Sequence, residues 1–167
     1  SRINEKVKEN IIATRLEKRY CKEEIIKMYL NQFDFLYNAV GIENASKVYF
    51  NKKTKELSIE EAATLIGMCK NPSLYNPYTY KIKNYRKKIA YEKNIKQNEV
   101  SNIEINKRRE KDSLRMHNRR NQVLMQWLKN SEKNNPRLKN KLSRNDYDSL
   151  KKKPIIVSYQ RVDHKKG

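Results

Sequence analysis

The apolar residues of this chain are unevenly distributed, and this asymmetry limits what each half can fold into. Residues 1–77 hold 20 Leu, Ile, Val or Phe residues and a net charge of +3. Residues 78–167 hold 17 such residues and a net charge of +17. A segment with less than about 20% of these apolar types and a high charge buries too little surface to offset its ordering entropy. The sequence therefore predicts a folded unit over residues 1–77, followed by a looser and strongly basic extension.

The composition also excludes several kinds of site. Glycines occur only at Gly41, Gly67 and Gly167, so the chain has no glycine-rich phosphate loop and no dinucleotide fingerprint. Cys21 and Cys69 stand 48 positions apart with no histidine near either, which argues against a zinc site and against a disulfide framework. No apolar run approaches the roughly 18 residues that cross a bilayer.

Hydrophobic periodicity predicts mainly helical structure in the first half. A helix over residues 2–19 carries apolar residues on two sides, so we expect it to be central and packed between other elements. Further helices are predicted over 22–31 and around 45–50. Ser58 and Glu61 have the spacing of a capping box and predict the start of another helix. The stripe of that helix expected to face the core consists of Ile59, Ala62, Ala63 and Ile66.

The remaining segments predict less regular structure. The pairs Asn71-Pro72 and Asn76-Pro77 break helical geometry and predict loops. Residues 78–118 predict one or two exposed helices that lie toward solvent or a membrane. Other predicted features are an apolar stripe over 115–130, a helix over 144–151 capped by Ser143, an extended run over 155–159 and a loose tail from Arg161.

One face of the first predicted helix carries candidate functional residues. Arg2, Lys6 and Glu9 stand at i, i+4 and i+7 and fall within about 60° of one another around the helix axis. Two cations and a carboxylate in a row can bind an anionic group beside a proton-transfer or metal-binding group. The same spacing is typical of an ordinary solvated helix face, so spacing alone leaves both interpretations open.

Six motifs, in order along the chain, resemble one enzyme family. Residues 6–9 resemble a motif written R-K-x-x-E, and residues 22–31 resemble a K-x-x-I-L-x-x-Y-L-N pattern. Four later stretches match in the same order: 41–52, 57–63, 71–77 and 119–124. The family is glycosyltransferase family 51, which comprises the peptidoglycan glycosyltransferase (transglycosylase) domains of class A penicillin-binding proteins. Residues 147–150 and 161–164 resemble the exit from such a domain toward a transpeptidase region.

The resemblance implies an all-α (mainly α), lysozyme-like fold of which this chain is the C-terminal portion. It implies a glycosyltransferase core over 1–77 and a basic helical insertion over 78–118. The glycosyltransferase domain would end over 119–153, and residues 154–167 would be a linker toward a following domain.

The resemblance also implies an activity, which is the polymerisation of lipid II into glycan strands with inversion and release of undecaprenyl pyrophosphate. Glu9 would be the second catalytic carboxylate, placed beside the pyrophosphate, where it holds a divalent metal such as Mg²⁺ or assists the leaving group. Lys6 would neutralise phosphate. Glu5 stands where the motif has arginine, and Arg2 would partly supply the missing cation. No organic cofactor is expected.

Three further motif residues are expected to be structural. Asn31 would terminate its helix, and Arg119 and Arg120 would bond backbone carbonyls or acidic partners.

The family's first two motifs, which include the glutamate regarded as the base, would precede Ser1. We therefore expect an upstream part and expect residues 1–167 alone to be inactive. The expected partners are lipid II, the growing glycan, an anionic membrane surface and a C-terminal transpeptidase domain. The expected location is the extracytoplasmic face of the bacterial plasma membrane, with an anchor outside this chain.

Two other functions stay open at this stage. The first is a basic helical nucleic-acid-binding module, although the positive charge is spread over the whole second half instead of one recognition helix, and we expect no nucleic acid partner. The second is a non-catalytic interaction domain, which the absence of the first two motifs from these residues favours.

Overall fold

The computed structural model describes residues 2–160 except 134, 137 and 139, and excludes the side chains of residues 80–82. The described residues form nine α-helices and two short 3-10 helices, and no strand. The α-helices are α1 (Arg2–Arg19), α2 (Lys22–Gln32), α3 (Ile42–Phe50), α4 (Ile59–Met68), α5 (Pro72–Tyr75), α6 (Pro77–Ile82), α7 (Tyr85–Lys93), α8 (Asn102–Glu132) and α9 (Arg144–Leu150). The 3-10 helices are Thr54–Glu56 and Gln97–Glu99. The prediction of an all-α fold is confirmed.

The basic segment is ordered and has a small core of its own. Tyr85, Ile89 and Ala90 of α7 pack with Val100 and Ile105 at the start of α8. The expectation that residues 78–118 lie wholly outside any core is therefore wrong. The few apolar residues of this segment lie on facing sides of two helices, so a small number of them is enough to hold it together.

Arg86 closes the turn between these two helices. Its guanidinium donates to the carbonyls of Gln97 and Val100, at 3.1 and 2.7 Å, and to Asn102 Oδ1 at 2.7 Å. Part of the positive charge of this segment is thus used to bind backbone oxygens of the turn.

Helix α8 is the longest helix and packs mainly against α4. It buries Met116, Arg120, Leu124 and Leu128 at four-residue intervals, which places them on one face. The helix runs without a break through residues 118 and 119, where a domain boundary was predicted from sequence. The division into four segments stays a prediction.

Helix α4 begins as predicted but buries a different face. Ser58 Oγ accepts from the Glu61 N–H at 3.3 Å, and the Glu61 carboxylate accepts from the Ser58 N–H at 2.8 Å, which completes the capping box. Ile59 and Ile66, expected in the core, are 38% and 40% exposed. The buried residues of α4 are Ala63, Thr64, Leu65, Gly67 and Met68.

The physical reason is that α4 lies between two cores. Leu65 and Met68 belong to the core around α3, whereas Ala63 packs with Leu124 and Leu128 of α8. A helix that is covered on two sides buries residues on both of these sides, so its buried residues do not form a single stripe.

The two Asn-Pro pairs start short helices, so the predicted loop is wrong at these positions. Asn71 Oδ1 accepts from the Leu74 N–H at 3.0 Å, and Asn76 Oδ1 accepts from the Tyr78 N–H at 2.9 Å. Each asparagine is an N-cap and each following proline occupies the first helical position, where a missing N–H costs nothing.

The junction between α2 and α3 depends on Gly41. Its φ is +83°, and a Cβ built on it would lie 2.7 Å from the backbone oxygen of Asn31. The Gly41 N–H donates to the Phe33 carbonyl at 2.9 Å. This close approach brings the end of α2 against the start of α3 and requires a residue without a side chain.

The segment after α9 is extended, as predicted, and is bound to α3. The Ser158 and Gln160 N–H groups donate to the carbonyls of Tyr49 and Val48 at 2.9 and 2.8 Å. The Tyr159 ring stacks on that of Tyr78 with a centroid distance of 3.6 Å. The predicted loose tail from Arg161 and the motif at 161–164 lie outside the described residues.

Candidate functional site

The predicted catalytic face lies on α1, and this helix has no buried residue. Its only substantial packing is against α2. Ile3, Val7, Ile11 and Ile12 are between 48% and 75% exposed. The expectation that α1 is central is therefore wrong for this structure. Its apolar pattern is typical of a helix packed on two sides, but the described residues leave about half or more of each of these side chains exposed.

Lys6 and Glu9 form an ion pair on this helix. Lys6 Nζ lies 2.5 Å from Glu9 Oε2, and both side chains are more than half exposed. An exposed pair of this kind stabilises a fold by at most about 1 kcal/mol, so its role in stability is small. Arg2 lies one turn before Lys6 on the same helix and is exposed. The ammonium of such a pair can bind a phosphate. The carboxylate beside it can accept a proton or bind a cation.

The donor set fits a divalent metal only in part. No group of three or more His, Cys, Asp or Glu side chains that could hold a metal occurs in the part of the chain that the structure describes. Glu9 supplies one carboxylate. Because Mg²⁺ is commonly bound by one or two carboxylates together with substrate phosphates, a single carboxylate fits a site that the substrate completes.

A shallow groove runs along a neighbouring face of α1. It is lined by Val7, Asn10, Ile11, Thr14, Arg15 and Lys18. Glu9 does not line it, so the pair is at the surface of α1 and outside this groove.

Arg120 is almost completely buried and binds backbone carbonyls. Its two terminal nitrogens donate to the carbonyls of Lys153 and Lys151 at 2.8 and 3.1 Å. Burial lowers the pKa of this guanidinium, and the nearby Glu60 carboxylate opposes that shift. Arg120 thereby ties the end of α9 to α8.

Arg119 also binds a backbone carbonyl, and Asn31 lies at a close approach between two helices. Arg119 Nε donates to the Gly67 carbonyl at 3.1 Å, which joins α8 to the end of α4. Asn31 lies in the last turn of α2, which ends one residue later at Gln32, and its carbonyl is the atom that Gly41 approaches.

Sequence reasoning missed one contact between motif residues. Lys52 Nζ donates to both carboxylate oxygens of Glu61, at 2.8 and 2.9 Å. Both residues belong to stretches that match the family pattern, and their opposite charges were the available signal. This ion pair connects the end of α3 to the first turn of α4.

The two cysteines differ in environment. Both are free; Cys21 is exposed, whereas Cys69 is partly buried. Burial raises the pKa of the Cys69 thiol to about 11, with Arg119 acting in the opposite direction, so this thiol stays protonated at neutral pH.

None of the described helices has the combination of length and hydropathy needed to span a bilayer.

Comparisons with known proteins agree with the motif order. A family model described as "Transglycosylase" matches residues 1–99. This range includes α1 through α7 and extends past residue 77.

Among curated proteins, the chain is 48% identical over 75 residues to penicillin-binding protein 2a of Streptococcus pneumoniae, covering 45% of this chain and 10% of that protein. It is 46% identical over 79 residues to penicillin-binding protein 1F of Bacillus subtilis, covering 47% and 11%. The matched residues thus span about a tenth of the length of these relatives.

Among solved structures, the chain resembles penicillin-binding protein 1A from Haemophilus influenzae, with a TM-score of 0.53 and 28% identity. That match covers 84% of this chain and 15% of the other.

Proposed function

The chain belongs to the transglycosylase family, and on this premise we propose that it forms part of a peptidoglycan glycosyltransferase that polymerises lipid II into glycan strands. The observation that carries the proposal is the family match over residues 1–99, which includes the Lys6–Glu9 pair on α1. The relatives named above, which are penicillin-binding proteins, support it. The nucleic-acid-binding alternative has no comparable support.

In the proposed reaction, the 4-hydroxyl of the acceptor sugar attacks the anomeric carbon of the growing glycan. The bond to undecaprenyl pyrophosphate breaks and the configuration inverts. The hydroxyl proton goes to the glutamate of the family's first motif, which is not among these residues. Negative charge develops on the departing pyrophosphate, and such a charge needs fixed positive partners.

Lys6 is the residue of this chain that we assign to that charge. Its ammonium binds a phosphate oxygen as a point charge. Arg2, one turn earlier, adds a second cation, which matters because Glu5 stands where the motif has arginine. Glu9 orients Lys6 through the ion pair and faces the same leaving group.

A divalent ion such as Mg²⁺, bound by Glu9 and the pyrophosphate, would neutralise the leaving group.

The protein is proposed to act at the extracytoplasmic face of the bacterial plasma membrane, beside an anchor and a transpeptidase domain outside this chain. The net charge of +20 favours contact with anionic headgroups, at about 1 kcal/mol for each basic residue near the surface. Co-sedimentation with vesicles should rise with the fraction of phosphatidylglycerol. Equal binding to purely zwitterionic vesicles would contradict this membrane contact.

The central test is Glu9→Gln in an enzyme that joins this chain to the family's first two motifs. We expect glycan polymerisation from lipid II to fall by about 10²–10³-fold, the range for loss of a group that stabilises charge in the transition state, with unchanged thermal unfolding. Glu17→Gln, also an exposed glutamate of α1, is the matched control and should retain activity. Full activity of the Glu9 variant would remove Glu9 from the site.

Residues 1–167 alone should show no turnover of lipid II, because they lack the motif that supplies the base. Polymerisation by this chain alone would show that the reaction does not need that glutamate.

A further inference from the structure

Helix α8 carries a long polar row that the proposed reaction does not use. The row contains three cations and three amides, with the amides in the middle and the cations toward the two ends, and its members fall within about 80° around the helix axis over about 27 Å of its length. They are Lys111, Arg115, Asn118, Gln122, Gln126 and Lys129. All six are exposed or half-exposed.

Two open grooves meet along this row. One lies between α8 and α5 and is lined by Tyr75 and Leu114 among others. The other lies between α8 and α4 and includes Ile66 and Met125. Both share Asn118, Arg119 and Gln122, so they form one continuous surface, called here the α8 groove.

No acidic residue lines the α8 groove within the described part of the chain. Three of the four carboxylates of α8 are paired with cations. Asp112 is bound by Lys83 at 2.6 Å and by Arg115 at 3.0 Å. Glu104 and Glu132 pair with Lys93 and Arg144. The groove lining itself therefore holds cations and no carboxylate, although one of these cations, Arg115, is paired with Asp112 beside it.

The centre of the groove is fixed in place. Arg119 donates to the Gly67 carbonyl and to Gln122 Oε1, at 3.1 and 3.2 Å, and its guanidinium lies 5.8 Å from the centre of the Tyr75 ring. A side chain held in this way loses little entropy when it binds a ligand. Lys111 and Lys129, at the two ends, form no ion pair with another described residue.

The length and chemistry of the row suit a polymer. A row of about 27 Å is longer than a compact small ligand can span, and it presents two kinds of group, cations near its ends and amides between them. Arginine and lysine bind carboxylates or phosphates, whereas asparagine and glutamine both donate to and accept from hydroxyl and acetamido groups. A backbone of phosphates alone would favour cations throughout the row, whereas its middle holds three neutral amides in succession.

We propose that the α8 groove binds an acidic glycan strand, with the amides on the sugars and the cations on carboxylates attached to them. The identity of this strand as the polymer that the enzyme makes rests on the proposed function. The groove itself follows from the residues of α8 and its neighbours.

The test is binding of fluorescently labelled, uncross-linked peptidoglycan strands that retain their stem peptides, measured by anisotropy with the full 167-residue chain. The double variant Lys111→Glu, Lys129→Glu should bind about tenfold more weakly, as expected for two reversed charges at a ligand contact. The control Lys55→Glu, Lys87→Glu changes the net charge equally at two exposed sites outside the groove and should stay within about twofold of wild type.

A second variant removes amides without changing charge. Asn118→Ala, Gln122→Ala should weaken binding of the glycan strand and leave binding of a duplex DNA of matched charge unchanged. The proposal is overturned if the groove and control charge variants lose affinity for the glycan equally. It is also overturned if duplex DNA binds more tightly than the glycan and the amide and charge variants weaken DNA binding to the same extent.

The groove and the proposed reaction can fail separately. In the joined enzyme, Glu9→Gln should abolish polymerisation while glycan binding persists. Normal glycan binding by the groove variant, together with an inactive Glu9 variant, would overturn the groove and leave the reaction standing. An active Glu9 variant together with lost glycan binding in the groove variant would overturn the role of Glu9 in the reaction and leave the groove standing.

Discussion

Helices α1 and α8 are the two longest helices of the described chain, and they differ in whether any of their residues are buried. Helix α1 carries apolar residues on two sides and buries none of them. Helix α8 is rich in charged residues, yet it buries six, including an arginine. An apolar pattern on two sides thus belongs to the exposed helix, and a charged composition belongs to the buried one.

The difference shows what an apolar pattern does and does not specify. An apolar face indicates that covering it would stabilise the fold, but it does not indicate which element covers it. On α8 the cover is supplied mainly by α4, with α5, α6, α7 and α9 also in contact, and Arg120 is tolerated inside because two carbonyls accept its hydrogen bonds. On α1 only α2 is available within these residues.

The largest expected contrast comes from shortening one apolar side chain on each helix. Leu124→Ala should lower the free energy of unfolding by about 3 kcal/mol, because the fully buried side chain leaves a cavity between α8 and α4. Ile11→Ala on α1 should change it by less than about 0.5 kcal/mol, because that side chain is already half exposed. Urea denaturation measures both. Equal losses would show that α1 is packed in solution.

A smaller effect is expected from two glycines of the packed body. Gly41→Ala should destabilise by about 2 kcal/mol, since its φ is positive and the new methyl group meets the Asn31 carbonyl. Gly67→Ala is the matched control. Its new Cβ would lie 3.4 Å from Arg119 Cγ, an ordinary contact in a helix, so stability should stay within about 0.5 kcal/mol of wild type or rise. A tolerated Gly41→Ala would mean that the α2–α3 junction can relax.

The smallest expected effect concerns Asp112, on the side of α8 that faces the basic segment. Burial alone would raise the pKa of this carboxyl, but the hydrogen bond and charge of Lys83, together with the Tyr85 hydroxyl and Arg115, hold it below its ordinary value. The carboxylate therefore contributes stability above the pKa it has in the unfolded chain, near 3.9, and loses that contribution as pH falls through the lower folded value.

Asp112→Asn should accordingly cost about 1 kcal/mol at pH 7 and progressively less below pH 4. Chemical denaturation of both proteins across that range measures the difference. A difference that stays constant down to pH 2 would show that the charge of Asp112 is not the source of the effect.

Helix starts were predicted correctly from capping residues that are close together in the sequence. Ser58 with Glu61 started α4, and Ser143 capped α9 by accepting from the Asp146 N–H at 3.1 Å. These contacts lie within one turn of their own helix, so neighbouring residues contain all the necessary information. The order of the family motifs likewise identified the family.

Contacts between distant segments were less readable. The Asn-Pro pairs were interpreted as breaks because a proline interrupts a helix, although it equally suits a helix start. The inner face of α4 was misjudged because two cores compete for it. The core of the basic segment was missed because it uses few residues, with Arg86 satisfying the turn. The roles of Arg2, Lys6 and Glu9 stay predictions.

The extended segment that follows α9 is attached to the end of α3. Two N–H groups, at Ser158 and Gln160, attach it to carbonyls at the end of α3, and Tyr159 is stacked beside them. The Tyr49 hydroxyl in turn donates to the Phe35 carbonyl, deep in the same core. Mechanical load applied beyond Gln160 would be shared by these two parallel bonds and passed to α3. The position of Gln160 relative to α3 is thereby fixed.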